Sequence, residues 1–186
     1  KAFLSGKPAS ARGALMRNGR IGWQHSVFSR PFFNLGPNDA MYQCRCVLCH
    51  PEFSKGAQAS SNLVWKFIAD IANGLKKENI PGFVTMSAYS CYKEIPELEL
   101  PDNILIKYCT TGPWDEDNLP QQAEKLKQLN DWKKKLGHKL VLHTCMCKTA
   151  GLLPILSIPG FTPDATGSFF KKAAPDISGA LLEAGT

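Results

Sequence analysis

The sequence has no run of roughly eighteen apolar residues, the length from which a membrane-spanning helix is inferred, so we expect no membrane span. The first predicted strand is not followed by a Gly-rich phosphate-binding loop, which removes the main argument for a dinucleotide-binding fold. Basic and aromatic residues are not interleaved as they are in RNA-binding sheets, so we expect no nucleic-acid partner. Apolar residues make up 44% and charged residues 20% of the chain, which indicates a globular protein rather than a disordered one.

Acidic residues are absent before Asp39, although the net charge of the chain is only +6. The basic residues that precede this position are Lys1, Lys7, Arg12, Arg17, Arg20 and Arg30. Such a segment can attract nucleic acid, anionic lipid or acidic sugars, or it can be a solvated loop. Because residues 1–29 have no sustained hydrophobic period, we predict a basic, loop-rich segment from an incomplete preceding unit, followed by one domain over residues 30–186.

Five short apolar runs within this domain predict β-strands. Each contains β-branched or aromatic residues and is closed by turn residues such as Pro, Asn, Asp or Gly. The predicted strands are Pro31–Leu35, Phe83–Ala88, Ile104–Cys109, Leu140–His143 and Ile177–Leu182.

Helical patterns lie between most of these runs. A helix over 62–77 is predicted to be capped by Ser61 or Asn62. Its apolar face is predicted to consist of Leu63, Phe67, Ile71 and Leu75, with Val64, Ile68 and Ala72 beside them. A second helix is predicted over 119–136, ended by Lys133 to Lys135 and Gly137, and a shorter one over about 164–174. The connection between the second and third strands contains two prolines and no clear helix.

The alternation of strands and helices predicts parallel strands joined by right-handed crossovers. Doubly wound sheets and TIM barrels both have this pattern. We predict an α/β fold that is the C-terminal part of a (β/α)8 TIM-type barrel, with about five parallel strands and intervening helices. Since five strands cannot close an eight-stranded barrel, we expect the N-terminal barrel half or further domains to belong to a parent chain.

The carboxyl ends of parallel strands are where a barrel of this type carries its chemistry. Asp39 and Glu183 are the carboxylates placed there, and two carboxyl groups are what glycoside hydrolysis requires. Asp39 can equally be a turn-forming residue, and Glu183 a solvated strand end. The two would lie on opposite sides of the barrel mouth, which is far for a retaining pair.

Aromatic and imidazole side chains at the same strand ends are candidates for sugar binding. Tyr89 and Trp114 could stack on sugar rings, and His143 could donate to a hydroxyl or act as a base. Loop packing for the two aromatic residues, and a non-catalytic histidine, are the alternatives. Trp65 and Trp132 fall on predicted helices and are interpreted as packing residues.

A cluster of cysteines follows the first strand. Cys44, Cys46 and Cys49 form a Cys-x-Cys-x-x-Cys motif, and His50 follows directly. Three thiolates and an imidazole suit a tetrahedral structural zinc. Free buried thiols and a disulfide to a remote cysteine are the alternatives, and seven cysteines leave one over in any all-disulfide scheme. No Cys–His nucleophile site with an orienting residue is visible.

The segment from Phe32 to Asp39 (Phe-Phe-Asn-Leu-Gly-Pro-Asn-Asp), followed by the cysteine motif, resembles a bacterial family of unknown function. That family has a glycoside-hydrolase-like barrel, loosely akin to α-glucuronidases and β-hexosaminidases. The similarity continues through the Ala88-Tyr89 strand end, the Asn103-Ile104 strand start and the Trp132 helix. The next strand ends in an aromatic–acidic stretch in the family but reads Leu-His-Thr-Cys here, so that acid is missing.

The resemblance implies a carbohydrate-active, glycoside-hydrolase-like domain that acts on a polysaccharide or a uronate-containing glycan outside the cytoplasm. Asp39 would be the acid/base and Glu183 its partner, while Arg20 or Arg17 could face a uronate carboxylate. The alternative is a non-catalytic carbohydrate-binding or structural module with a cysteine metal knuckle. No cofactor is required for either function, a structural zinc is the one metal that the cysteines suggest, and a partial barrel is expected to be inactive by itself.

Overall fold

The computed structural model describes residues 32–36, 43–110, 119–145 and 163–183. They contain one sheet of five parallel strands, which confirms the predicted α/β class. The strands are β1 (Phe32–Asn34), β2 (Phe83–Ala88), β3 (Ile104–Thr110), β4 (Leu140–Cys145) and β5 (Ile177–Glu183), and they lie side by side in sequence order. This order runs without the reversal that marks a doubly wound sheet.

Four α-helices accompany the strands in the described ranges: α1 (His50–Ser54), α2 (Ala57–Lys77), α3 (Leu119–Leu136) and α4 (Pro163–Ala173). The bounds of α3 are those predicted, and its end is fixed at Gly137, which has a φ of 76° that suits glycine. A single 3-10 turn, Ser90–Tyr92, occupies the start of the connection between β2 and β3. None of the helices described is long and apolar enough to cross a membrane.

The predicted cap of α2 is wrong, because the helix begins five residues earlier. Gly56 precedes its first turn with a φ of 113°, and no side chain caps it. Ser61 lies inside the helix, fully buried, where its hydroxyl donates to the carbonyl of Glu94. The residues that suggested a cap therefore bind a neighbouring loop.

The predicted apolar face of α2 is confirmed for Ile68 and Ala72 and wrong for Phe67. Trp65, Ile68 and Ala72 belong to the buried cluster against the sheet, whereas Phe67 is 61% exposed. The small side chain of Ala72 lets the helix lie close to the strands.

All three long helices pack on the same face of the sheet. Val84 and Met86 of β2, Ile106 of β3 and Leu142 of β4 form one buried cluster with residues of α2, α3 and α4. Right-handed crossovers between strands in sequence order place successive helices on one side, which explains this arrangement. The opposite face of the sheet has no helix among the described residues, and we refer to it as the open face.

The connection between β2 and β3 is bound to the helices through its backbone carbonyls. The indole of Trp65 donates to the carbonyl of Tyr92 (2.9 Å) and that of Trp132 to the carbonyl of Lys93 (3.1 Å). The hydroxyl of Ser61 donates to the carbonyl of Glu94, and the side-chain amide of Gln58 donates to the carbonyl of Ile95 (3.0 Å). The two indole rings are buried and pack against each other with centroids 5.1 Å apart, so the predicted packing roles of both tryptophans are confirmed.

We expect Trp65→Phe to destabilise the fold by about 2–3 kcal/mol, since it leaves a cavity and removes the donor of the Tyr92 carbonyl. Urea unfolding followed by circular dichroism measures this change. Phe67→Leu, two positions away on the exposed side of the same helix, is the control and should change the free energy of unfolding by less than about 0.5 kcal/mol. Equal effects of the two substitutions would contradict the assignment of the buried face.

Candidate functional site: the open face and the cysteine cluster

The open face of the sheet changes character along the strands. At the amino ends, Phe32 and Phe83 lie on paired positions with ring centroids 6.2 Å apart. Towards the carboxyl ends the residues on this face become polar: Asn34, Thr85, Ser87, Lys107, Cys109 and His143. Each alternates along its strand with a residue of the buried cluster, so all six belong to the side without helices. The polar end coincides with the sheet edge at which parallel α/β folds bind ligands.

The carboxamide of Asn34 is the centre of this polar group. Its Oδ1 accepts from the backbone N–H of Gly36 (3.2 Å), from Oγ1 of Thr85 (3.2 Å) and from Nζ of Lys107 (3.3 Å). A backbone N–H and an ammonium can only donate, so the oxygen of the amide must be the atom that faces them. The amide NH2 has no acceptor in the part of the chain that the structure describes, and it remains a donor for a ligand.

Lys107 is the half-buried cation of the open face. In the described ranges no carboxylate lies within ion-pair distance of its ammonium group, in contrast to Lys66, Lys76 and Lys133 on the helical side. One of its three N–H groups is directed to Asn34, which leaves two for other acceptors. Together with the NH2 group of Asn34, these two N–H groups make the site rich in hydrogen-bond donors and suited to an anionic or hydroxylated ligand.

Cys109 and His143 meet next to this group, on paired positions of β3 and β4. The Cys109 Sγ lies 3.3 Å from the His143 Nδ1, and both side chains are half-buried. No local pattern in the sequence indicates this thiol–imidazole contact. It forms because the two strands are in register, although 34 positions separate the residues in the chain.

The second group of chemical interest is the loop that leads from β1 into α1. The sulfurs of Cys44, Cys46 and Cys49 lie within 4.8 Å of one another, which confirms the predicted proximity. Cys44 and Cys46 are exposed and Cys49 is half-buried, so buried thiols are not the right description. None of the three forms a disulfide. His50 begins α1, and its ring nitrogens are not among the atoms of this group.

The three thiols influence one another's protonation. The backbone N–H of Cys49, followed by the Cys44 side chain, lowers the pKa of Cys46 to about 7. The neighbouring sulfurs, Cys46 first, raise the pKa of Cys49 to about 11. One thiolate therefore forms near neutral pH, and a second is opposed by the first. A bound cation would remove this opposition, because thiolates are the ligands that zinc prefers.

This donor set fits a zinc ion with three protein ligands. The residues that would hold it are Cys44, Cys46 and Cys49, with one coordination position left to a further ligand. Zinc would serve there as a structural cross-link of the loop.

The other residues predicted for the site lie at different places. Tyr89 directly follows β2 and is 41% exposed, and Glu183 is the last residue of β5, opposite Cys145 in the register. His143 lies within β4, not at its end, because the strand is two residues longer than predicted. Asp39, Trp114 and Arg20 lie outside the described residues.

Sequence reasoning missed Asn34, Thr85, Lys107 and Cys109. The signal that could have found Lys107 and Cys109 is the alternation in Ile104–Thr110, where polar residues interrupt an apolar strand at every second position. No local signal pairs Asn34 with Lys107, because 73 positions separate them.

The fold and the site define a parallel α/β domain with helices on one face and a polar, donor-rich patch at the carboxyl end of the other. The chain matches a family model described as "Domain of unknown function (DUF4838)" over residues 28–150, about two thirds of its length. The chain therefore belongs to this family. No curated protein and no solved structure matches it.

We expect the full chain to bind about one zinc ion, with an affinity that increases from pH 6 to pH 8 because the ion displaces thiol protons. Competition with a chromogenic chelator measures the affinity. Cys46→Ser should weaken binding by at least about tenfold, whereas Cys91→Ser, in the 3-10 turn after β2, should leave it unchanged. Equal zinc affinity of wild type and Cys46→Ser would contradict the site.

Proposed function

We propose that this chain is part of a carbohydrate-active, glycoside-hydrolase-like barrel and that its open face binds a glycan with a uronate group. The observation that carries this proposal is the pair of donors at the carboxyl end of the sheet, the ammonium of Lys107 and the amide of Asn34. Carbohydrates present hydroxyl oxygens, and uronates add a carboxylate, so both kinds of acceptor match the donors.

The charge balance of the site favours a uronate over a neutral sugar. Lys107 is half-buried and lacks a carboxylate partner in the described ranges, so an acidic ligand would supply the missing counter-charge. An ion pair at a partly desolvated site contributes more than one on an open surface. The donors are also held in place, because Thr85 and Gly36 fix the orientation of Asn34.

The architecture is consistent with a barrel wall. Strands in sequence order with helices on one side leave the opposite face to become the interior when a barrel closes. The polar residues on that face lie at the carboxyl end, which is the end that carries ligands in such barrels. Missing strands of the barrel would be supplied by further parts of the parent protein.

Catalysis would require the carboxylates and sugar-binding residues that the sequence suggested. Asp39 and Glu183 are the proposed carboxylates, with Tyr89, Trp114, His143 and Arg20 as sugar-binding residues. Asp39 follows β1 and Glu183 ends β5, and these two strands are four spacings of about 4.8 Å apart across the sheet. Only the curvature of a barrel could therefore bring the two carboxyl groups together.

The second candidate function is a non-catalytic carbohydrate-binding or structural module, and the cysteine cluster favours it. Three sulfurs within 4.8 Å of one another suit a structural metal, which stabilises a loop without taking part in hydrolysis. The resemblance to a bacterial carbohydrate-active family favours a location outside the cytoplasm for either function. Hydrolysis of aryl glucuronides by the full-length parent, lost on Asp39→Asn, would support the enzyme, whereas glycan binding without turnover would support the module.

Lys107→Met is expected to weaken binding of a galacturonate or glucuronate trisaccharide by about tenfold or more, because among the described polar residues of the open face Lys107 is the only lysine or arginine. Isothermal titration calorimetry measures the dissociation constant. The control is Lys66→Met on α2, which removes an exposed charge paired with Asp70 on the helical side.

Binding that both substitutions weaken equally would indicate a general effect of net charge and contradict the proposed site. The corresponding neutral trisaccharide should bind more weakly than the uronate and should discriminate little between wild type and Lys107→Met. A neutral sugar that binds as tightly as the uronate would contradict the uronate assignment.

A further inference from the structure

The thiol of Cys109 lies in contact with an imidazole on the open face, close to the carboxyl end of the sheet. Cys109 precedes the last residue of β3, and His143 occupies the paired position on β4, with Sγ and Nδ1 3.3 Å apart. Both side chains are half-buried, so the pair is partly shielded from water yet still reachable. The uronate-binding proposal counts His143 among the sugar-binding residues but assigns no role to Cys109.

We propose that Cys109 is a nucleophilic thiol activated by His143, and that the pair forms a covalent bond with a ligand carbon that bears a leaving group. The thiolate, not the thiol, is the nucleophile, and an adjacent imidazole is the group that commonly produces it. His143 acts as the general base. In this step the thiol proton moves to Nδ1, the sulfur forms a bond to the carbon, and the leaving group departs with the electrons of its former bond.

Two cations favour the negative charge on the sulfur. Lys107 precedes Cys109 by two positions on the same strand and therefore lies on the same face. Lys93, held by the bond from Trp132 to its carbonyl, also interacts electrostatically with Cys109. Electropositive surroundings of this kind distinguish reactive cysteines from inert ones.

The described titratable groups around Tyr108, the neighbour of Cys109 in the chain, lie on the other side of the sheet. Tyr108 is on the helical face, and burial raises its pKa above the usual value, so it stays neutral. The carboxylates of Glu94 and Glu124 interact with Tyr108. Tyr89 follows Ala88, the residue of β2 that pairs with Tyr108.

Alkylation of the full chain by iodoacetamide tests the proposal, because this probe is uncharged and is not attracted by the nearby lysines. Peptide mass spectrometry gives the rate at each cysteine separately. At pH 6.5 we expect Cys109 to react at least about tenfold faster than Cys91, a half-buried thiol of the same chain, with the ratio of the two rates falling towards pH 9. A ratio that does not change with pH would overturn the proposal without any substitution.

The role of the imidazole is tested with His143→Gln, which keeps a polar side chain but cannot accept the proton. This variant should lower the rate at Cys109 by about tenfold at pH 6.5 and move its pH profile upwards. The matched control is His138→Gln, since His138 lies at the other end of the sheet, before β4, and should leave the rate within about twofold. An unchanged rate in His143→Gln would overturn the proposal, and if that variant does not fold, the pH dependence of the wild-type ratio decides.

Discussion

The placement of all three long helices on one face of the parallel sheet is the constraint on which the remaining structure depends. It follows from strands that lie in sequence order and from crossovers of one hand. The buried apolar residues of β2, β3 and β4 lie on that side, where they pack with the helices. The opposite side does not need them, so polar residues can occupy its carboxyl end without weakening the core. The candidate site is thus a consequence of the fold and is held by it.

The connection between β2 and β3 contains no α-helix, and hydrogen bonds to α2 and α3 hold it in place. Its carbonyls at 92 to 95 each accept a bond from a side chain of α2 or α3. Such a loop would otherwise leave buried carbonyls unsatisfied, at a cost of about 1–3 kcal/mol each. One of these bonds fixes Lys93, whose ammonium then lies 4.7 Å from the centre of the Tyr108 ring and interacts electrostatically with Cys109. Lys93 therefore links the buried Trp132 of the core with the thiol of the open face.

The sequence was sufficient to predict the strands, because each is a short apolar run between turn residues, and β2 has the bounds predicted for it. It was not sufficient for the start of α2, where Ala57 to Ser61 have no apolar period and the hydroxyl of Ser61 donates to a loop more than thirty positions away. The central group of the site was missed for a similar reason. Asn34 contacts Lys107, and Cys109 contacts His143, only through the register of the strands, and no local pattern encodes that register. The cysteine cluster was predictable because its members are close in the chain.

The central claim is that ligands bind the face of the sheet opposite the helices. The most direct measurement is a titration of the 15N-labelled chain with a uronate trisaccharide, followed by backbone chemical shifts. Binding to the open face should shift the backbone amides near its polar residues most, namely those of Asn34, Gly36, Thr85, Lys107 and His143. The exposed side of α2 around Lys66 and Asp70 should be unaffected. Changes confined to α2, or to the loop of Cys44 to Cys49, with no change on the open face, would contradict it.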